Sequence, residues 1–76
     1  MVKEIILILL LVNGEMLLKP YNFVVGNSIH SHLGGTVMEC LEYGDKMREE
    51  LATYNEEHNS WHMNDGSGTW QGFICQ

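Results

Sequence analysis

An unbroken run of eight aliphatic residues at positions 5–12 is the clearest feature of the hydrophobic pattern. It is too short for a transmembrane helix, which needs about 20 apolar residues. Asn13-Gly14 follows, and this pair between two apolar runs is typical of a type I′ hairpin turn with positive φ at both central residues. The pattern predicts a strand over residues 4–12 and a second over 15–19. Pro20 then ends that second strand or confines it to a sheet edge.

A second pattern, over residues 36–57, is typical of an amphipathic helix. Thr36 and Glu39 have the spacing of a capping box, in which each side chain accepts the backbone N–H of the other residue. Apolar or small residues then recur every three or four positions, as on one buried helical face: Val37, Cys40, Leu41, Gly44, Met47, Leu51 and Tyr54. We therefore expect a helix over about residues 37–57, with Gly44 at a close contact between helix and sheet.

The remaining segments complete the fold. A chain of this length has room for one domain, which we assign to residues 1–76. Glycine and polar residues predict irregular connections at 26–35 and 58–69, and residues 70–75 predict a last short strand. The element order is then β-β-α-β. Because the helix returns the chain across one face, the last strand lies antiparallel beside the first. The prediction is an α+β fold with a three-stranded antiparallel sheet in the order 2-1-3 and one helix on one face.

Charge and residue chemistry narrow the classes of function. Ten acidic and four basic residues give a net charge of −6. Because phosphate binding needs clustered Lys and Arg, we expect no direct binding of nucleic acid. No local signature joins a Cys, Ser or His into a nucleophilic site, and adjacent carboxylates such as Glu49-Glu50 point in different directions on a helix. We therefore expect a protein that is not an enzyme and uses no cofactor.

The two cysteines are expected to be neighbours. In the predicted topology Cys40, at the helix start, and Cys75, at the chain end, lie at the same end of the molecule. A disulfide closing a loop of about 35 residues would contribute roughly 3–4 kcal/mol in the chain-entropy model. An oxidising compartment favours this disulfide, whereas a reducing cytoplasm favours two buried thiols. The sequence leaves both states open.

Four histidines raise the possibility of a zinc site near one of the cysteines. His30 and His32 would lie on one side of an extended segment, and His58 and His62 would share a helical face if the helix reached them. The chain has no Cys-x-x-Cys motif, however, and both pairs fall in predicted loops. We expect solvated or capping histidines, with a zinc-stabilised mini-domain as an alternative.

Two surfaces are candidates for protein binding. An acidic stripe along the helix is predicted by carboxylates at spacings of three, four and seven, which are Glu42, Asp45, Glu49 and Glu56. The stripe is explained by a helix face that is exposed to solvent. A more specific hypothesis is that its carboxylates imitate a phosphate backbone and bind the nucleic-acid-binding groove of another protein. The second surface follows from the apolar first strand, whose Ile6, Ile8 and Leu10 point away from the helix.

That second face of the sheet needs a cover. The loop at 22–35 could supply it through its apolar residues, Phe23, Val24, Val25, Ile29 and Leu33. Otherwise a second copy of the chain or a partner protein covers the face, because exposed apolar patches mark interaction sites. The sequence therefore predicts a small acidic binding module that forms a homodimer or binds another protein.

The layout of the whole chain resembles that of small uncharacterised accessory proteins of tailed bacteriophages, of the host-takeover type. The resemblance consists of the aliphatic strand, the Asn13-Gly14 hairpin, Met38-Glu39-Cys40 at the helix start and the final Cys75. It implies a compact protein in the cytoplasm of an infected cell that binds and modulates or inhibits a host or defence protein. It implies no catalytic residues.

The C-terminal part is similar to the last stretch of C-type lectin domains. The similarity consists of Trp61, Asn64-Asp65 and Phe73-Ile74-Cys75, and it implies pairing of the terminal cysteine with one on an early helix, here Cys40. It is confined to residues 61–75, and the chain lacks the second cysteine pair and the carbohydrate-reading loop of that family. We interpret the likeness as convergence.

Secretion is the alternative localisation. Lys3 precedes the hydrophobic run, and Val12-Asn13-Gly14 is a tolerable cleavage site, so residues 1–14 could act as a signal peptide of a secreted, disulfide-stapled module. Glu4 and the β-branched residues of the run favour the strand instead.

Overall fold

The computed structural model describes residues 2–25, 32–33 and 35–76. These residues form one helix and seven strands, which are β1 (Glu4–Leu11), β2 (Met16–Asn22), β3 (Val24–Val25), β4 (His32–Leu33), α1 (Val37–Leu51), β5 (Ala52–Asn55), β6 (Ser60–Met63) and β7 (Gly68–Cys75). Five strands build one antiparallel sheet in the order β2-β1-β7-β6-β5, and β3 pairs with β4. No helix in the described part of the chain is long and apolar enough to cross a membrane.

The predicted β-β-α-β architecture with a three-stranded sheet is wrong, although the fold is α+β. The helix ends at Leu51, and the predicted end of the helix and the loop after it instead form the β5–β6 hairpin. Thr53 and Tyr54 prefer strands, and the ring of Tyr54 packs edge-on against Trp61 across the hairpin at 5.5 Å. Tyr54 remains 43% exposed, so its helical spacing does not reflect burial on a helix face.

The β1–β2 turn also differs from the prediction. Of its residues, Gly14 has a positive φ of 88°, whereas Asn13 does not. The Gly14 N–H donates to the Leu11 carbonyl at 2.9 Å, and the Leu11 N–H donates to the Glu15 carbonyl at 2.8 Å. This is a three-residue loop, a type I turn followed by a left-handed glycine. The predicted type I′ turn is wrong.

Strand β1 supplies the centre of the core. Ile5, Leu7 and Leu9 alternate along it and are at most 2% exposed. They face the side of the sheet that carries α1, because their register partners include Phe73 and Cys75 of β7, which the helix contacts. We call this side the helix face of the sheet and the opposite side the outer face.

Strand β7 contains a bulge that fills the helix face with aromatic rings. Ile8 pairs with Gly72 and Leu9 pairs with Trp70, so Gln71 is an extra residue in β7. Trp70 and Phe73 are three residues apart and would lie on opposite faces of a regular strand. The bulge turns both toward the helix, with ring centroids 6.3 Å apart.

Both ends of the helix are capped by hydrogen bonds from neighbouring residues. The Thr36 hydroxyl accepts the Glu39 N–H at 3.1 Å, and the Glu39 carboxylate accepts the Thr36 N–H at 2.8 Å, which confirms the capping box. Asn64 closes the other end, since its backbone N–H donates to the Leu51 carbonyl and its side-chain amide donates to the Glu50 carbonyl.

Candidate functional site

The outer face of the sheet carries a continuous apolar surface. Ile6, Ile8 and Leu10 lie there and are only half-buried. Their register neighbours on both sides are also largely apolar, and we define the apolar outer patch as these three residues with Met16, Leu18, Pro20 and Ile74. Met16 and Leu18 are each 57% exposed, and Ile74 is 42% exposed. The helix cannot shelter this patch because it lies on the opposite face.

The remaining half of the outer face is polar. By register, Thr53, His62 and Thr69 lie side by side across β5, β6 and β7. The apolar outer patch therefore has a polar border on one side, the pattern of an interface core beside its rim.

The connection after β2 does not cover the patch through Phe23. This residue is 2% exposed and packs on Tyr43 of the helix at 5.4 Å, so it belongs to the helix face. The expectation that Phe23 covers the outer face is wrong. Ile29 lies outside the described residues.

The predicted acidic stripe is shorter than expected. Glu42, Asp45 and Glu49 are exposed on α1, as a solvated or protein-facing stripe requires. Glu56 does not belong to this stripe, because the helix ends at Leu51 and Glu56 lies in the β5–β6 turn. The stripe is not purely acidic, since Asp45 pairs with Arg48 at 3.5 Å.

The histidines are not arranged as predicted. His58 lies in the β5–β6 turn and His62 in β6, so they share no helical face, although their ring centroids are 5.7 Å apart. His30 lies outside the described residues, and His32 belongs to β4. Within the ranges that the structure describes, no group of three or more His, Cys, Asp or Glu residues could hold a metal ion.

Cys40 and Cys75 form a disulfide with a Cα–Cα distance of 6.3 Å. The bond joins the first turn of α1 to the end of β7, and Cys40 is fully buried. The predicted proximity of the two cysteines is confirmed. With both sulfurs in this bond, neither is available as a thiolate for zinc.

One further surface was not predicted. An open groove of about 610 Å³ lies between α1 and the bulged part of β7. Leu41 and Arg48 form its helix side, and Trp61, Trp70 and Phe73 form its sheet side. No local sequence pattern signals this groove, because it depends on the β5–β6 hairpin and on the bulge of β7, and neither is part of the predicted fold.

Comparisons of the chain with known protein families, with curated proteins and with solved structures found no match.

Proposed function

We propose that this chain is a non-enzymatic protein-binding module whose apolar outer patch docks on another protein. One observation carries the proposal: seven contiguous apolar side chains on three strands occupy the face opposite the only helix among the described residues. From strand spacing and rise, the patch covers roughly 300 Å² in projection. Apolar patches of this order are often functional sites in soluble proteins.

The chemistry of the patch favours a partner with an apolar surface. No member of the patch is charged, although the whole chain has a net charge of −6. A second copy fits this description through an isologous contact, in which the same patch serves on both protomers. The resemblance to phage accessory proteins supports a host or defence protein as the partner, and hence the cytoplasm of an infected cell as the place of action.

Leu18→Lys tests the proposal, because residue 18 is exposed at the middle of the patch and a lysine there leaves the core unchanged. Val12→Lys is the matched control, since Val12 is 87% exposed but lies in the β1–β2 turn. We expect the unaltered chain to self-associate in sedimentation analysis, or to bind a dye for apolar surfaces. Leu18→Lys should abolish either behaviour and Val12→Lys should preserve it. A monomer that binds no dye would contradict the proposal.

The disulfide favours a second candidate, a secreted binding module. Disulfides persist mainly in oxidising compartments, and this one joins α1 to the central part of the sheet. Cleavage after residue 14 would remove β1 and with it Ile5, Leu7 and Leu9 of the core. The two candidates are thus distinguished by N-terminal sequencing of the protein from its native source. Retention of residues 4–11 supports the first, and a start at residue 15 supports the second.

A further inference from the structure

The second half of β7 has an open edge. Glu4 and Gln76 exchange two backbone hydrogen bonds of 2.9 Å. Because hydrogen-bonded pairs alternate along an antiparallel ladder, Ile74 also bonds to β1, whereas the N–H and C=O groups of Phe73 and Cys75 point the other way. On that side β6 pairs with β7 only at Trp70 and Thr69. In the described ranges no strand pairs with the edge at residues 73–75.

The groove lies directly beside this open edge. Its floor includes residues 71–73 of β7, and Leu41, which is 44% exposed, forms part of its wall. The guanidinium carbon of Arg48 lies 4.8 Å from the ring centroid of Trp61, and the buried Arg48 Nε has no hydrogen-bond partner. An extended chain that pairs with the edge could therefore insert a side chain into an aromatic-walled groove. Paired backbones give affinity and such grooves give specificity in strand addition.

The rim of the groove is acidic. At 3.6 residues per turn, Asp45 lies about 40° and Glu49 about 80° around the helix from Leu41, on its solvent side. Glu42 follows at about 100°. All three are exposed. Among the described residues that line the groove, Arg48 is the only cation, and it already pairs with Asp45. The rim thus attracts a ligand with positive charge.

We propose that the β7 edge and this groove bind an extended peptide segment of a partner protein, in which an apolar side chain is flanked by Lys or Arg. The segment adds a strand to the sheet at Phe73 and Cys75, places its apolar side chain against Leu41 and Trp61, and sets its cations against the rim. This surface is separate from the apolar outer patch and does not depend on the docking proposed for that patch.

A synthetic peptide with the sequence Lys-Thr-Val-Thr-Phe-Lys is the probe, and its control replaces both lysines by glutamate. In ¹H–¹⁵N NMR spectra we expect the lysine peptide to shift the backbone amides of Phe73 and Cys75 and the indole N–H of Trp61. The glutamate peptide should bind at least about tenfold more weakly. Absence of these shifts at millimolar lysine peptide would overturn the proposal.

N-methylation of the peptide tests backbone pairing directly. One probe carries methyl groups on both threonine amides, and the other carries them on the valine and phenylalanine amides. Because alternate amides of a strand point to opposite sides, only one of the two probes should lose binding. Equal binding of both would overturn strand addition.

Leu41→Lys and Glu49→Lys locate the site on the protein, with Leu18→Lys as their control. Leu41→Lys places a cation in the groove and should weaken binding of the lysine peptide about tenfold, whereas Leu18→Lys, in the outer patch, should leave it unchanged. Glu49→Lys changes an exposed residue that does not support the fold, and it should weaken the lysine peptide and strengthen the glutamate peptide. Loss of peptide binding in Leu18→Lys but not in Leu41→Lys would assign the peptide to the outer patch and overturn the proposal.

Discussion

At the residue scale, Gly44 shows how one missing side chain positions the helix. A Cβ atom built at Gly44 would overlap the ring of Phe73, so the helix backbone rests directly on that ring. The predicted close contact between helix and sheet at Gly44 is therefore found, and its partner is a phenylalanine that the bulge of β7 leaves on the helix face.

Whether a Gly44→Ala substitution raises or lowers the free energy of unfolding tests this contact. In an uncrowded helix, alanine would stabilise the fold by about 1 kcal/mol relative to glycine. Overpacking costs about 1–3 kcal/mol, so we expect a net loss of up to about 2 kcal/mol in the free energy of unfolding, measured by urea denaturation. In a Phe73→Leu background the overlap is relieved, and the same substitution should cost less or stabilise. A gain in stability in the native background would contradict the contact.

Asp65 shows a second effect of single residues. The hydroxyl and backbone N–H of Ser67 donate to its carboxylate, the latter at 2.9 Å, and hold the pKa of Asp65 below its ordinary value. A carboxyl whose pKa is lower in the folded state stabilises that state above the unfolded-state pKa of about 3.9, and this stabilisation is lost as the pH falls through the folded-state pKa.

We expect an NMR titration to give a lower pKa for Asp65 in the native chain than in Ser67→Ala. The native chain should also be more stable than Asp65→Asn near neutral pH, and this difference should shrink as the solution is acidified. The same Asp65 pKa in the native chain and in Ser67→Ala would contradict the role of Ser67.

At the scale of elements, the fold depends on how α1 is joined to the sheet at both ends. Near its start, the disulfide attaches it to β7. At its end, Asn64 bonds to the last helical carbonyls and accepts the Thr53 hydroxyl at 2.6 Å. Asn64 therefore connects the helix, the β5–β6 hairpin and the turn into β7.

Replacement of Asn64 by alanine should lower the free energy of unfolding by about 1–2 kcal/mol, because two side-chain hydrogen bonds are lost at a solvent-accessible site. Thermal denaturation followed by circular dichroism measures this effect. Asn13→Ala is the control, since Asn13 makes a single local hydrogen bond to the Glu15 N–H. An equal effect of the two substitutions would show that Asn64 does not join the elements.

Reduction of the disulfide should have a larger effect. The cysteines are 35 residues apart, and opening such a loop costs about 3–4 kcal/mol in the chain-entropy model. A core of this size seldom supplies more than about 3–5 kcal/mol by itself. We expect a reducing agent to shift the urea midpoint strongly downward in the native chain and to leave the Cys40→Ser/Cys75→Ser variant unaffected. An unchanged midpoint in the reduced native chain would contradict this expectation.

The elements that could be predicted from the sequence are those with strong local signals. The aliphatic run predicted β1, and the Thr36–Glu39 capping box predicted where the helix begins. The helix end was missed because Tyr54 continues the helical spacing while Thr53 and Tyr54 also suit a strand. The β5–β6 hairpin depends on contacts between Tyr54 and Trp61 that no local pattern reveals.

At the scale of the whole molecule, the two faces of the sheet have different surroundings. One is covered by α1 and tied to it by the disulfide, and the other presents the apolar outer patch. Because successive side chains of a strand point to opposite faces, the sequence of β1 was enough to predict that Ile6, Ile8 and Leu10 lie on that outer face. The groove could not be predicted in the same way, because it is formed by three elements that meet only after folding.

Net charge gives the outer patch and the groove opposite responses to salt. Two chains with a charge of −6 repel each other, and salt shortens the range of this repulsion to about 10 Å at 0.1 M. Self-association through the outer patch should therefore strengthen with added salt, whereas binding of the lysine peptide to the groove should weaken. Sedimentation equilibrium measures the self-association, with Leu18→Lys as the monomeric control, and titration with the lysine peptide measures binding to the groove. Dimers that dissociate as salt is added would contradict an apolar contact.

The open edge of β7 beside the groove results from the short length of the β5–β6 hairpin. Strands β5 and β6 have four residues each, whereas β7 has eight. A hairpin lengthened by two residues on each strand would run alongside Phe73 and satisfy the edge from within the chain. The length of the β5–β6 hairpin therefore decides whether the edge of β7 is paired within the chain or is free to pair with a strand of another protein. In a relative with a longer hairpin, β6 itself would pair with this edge.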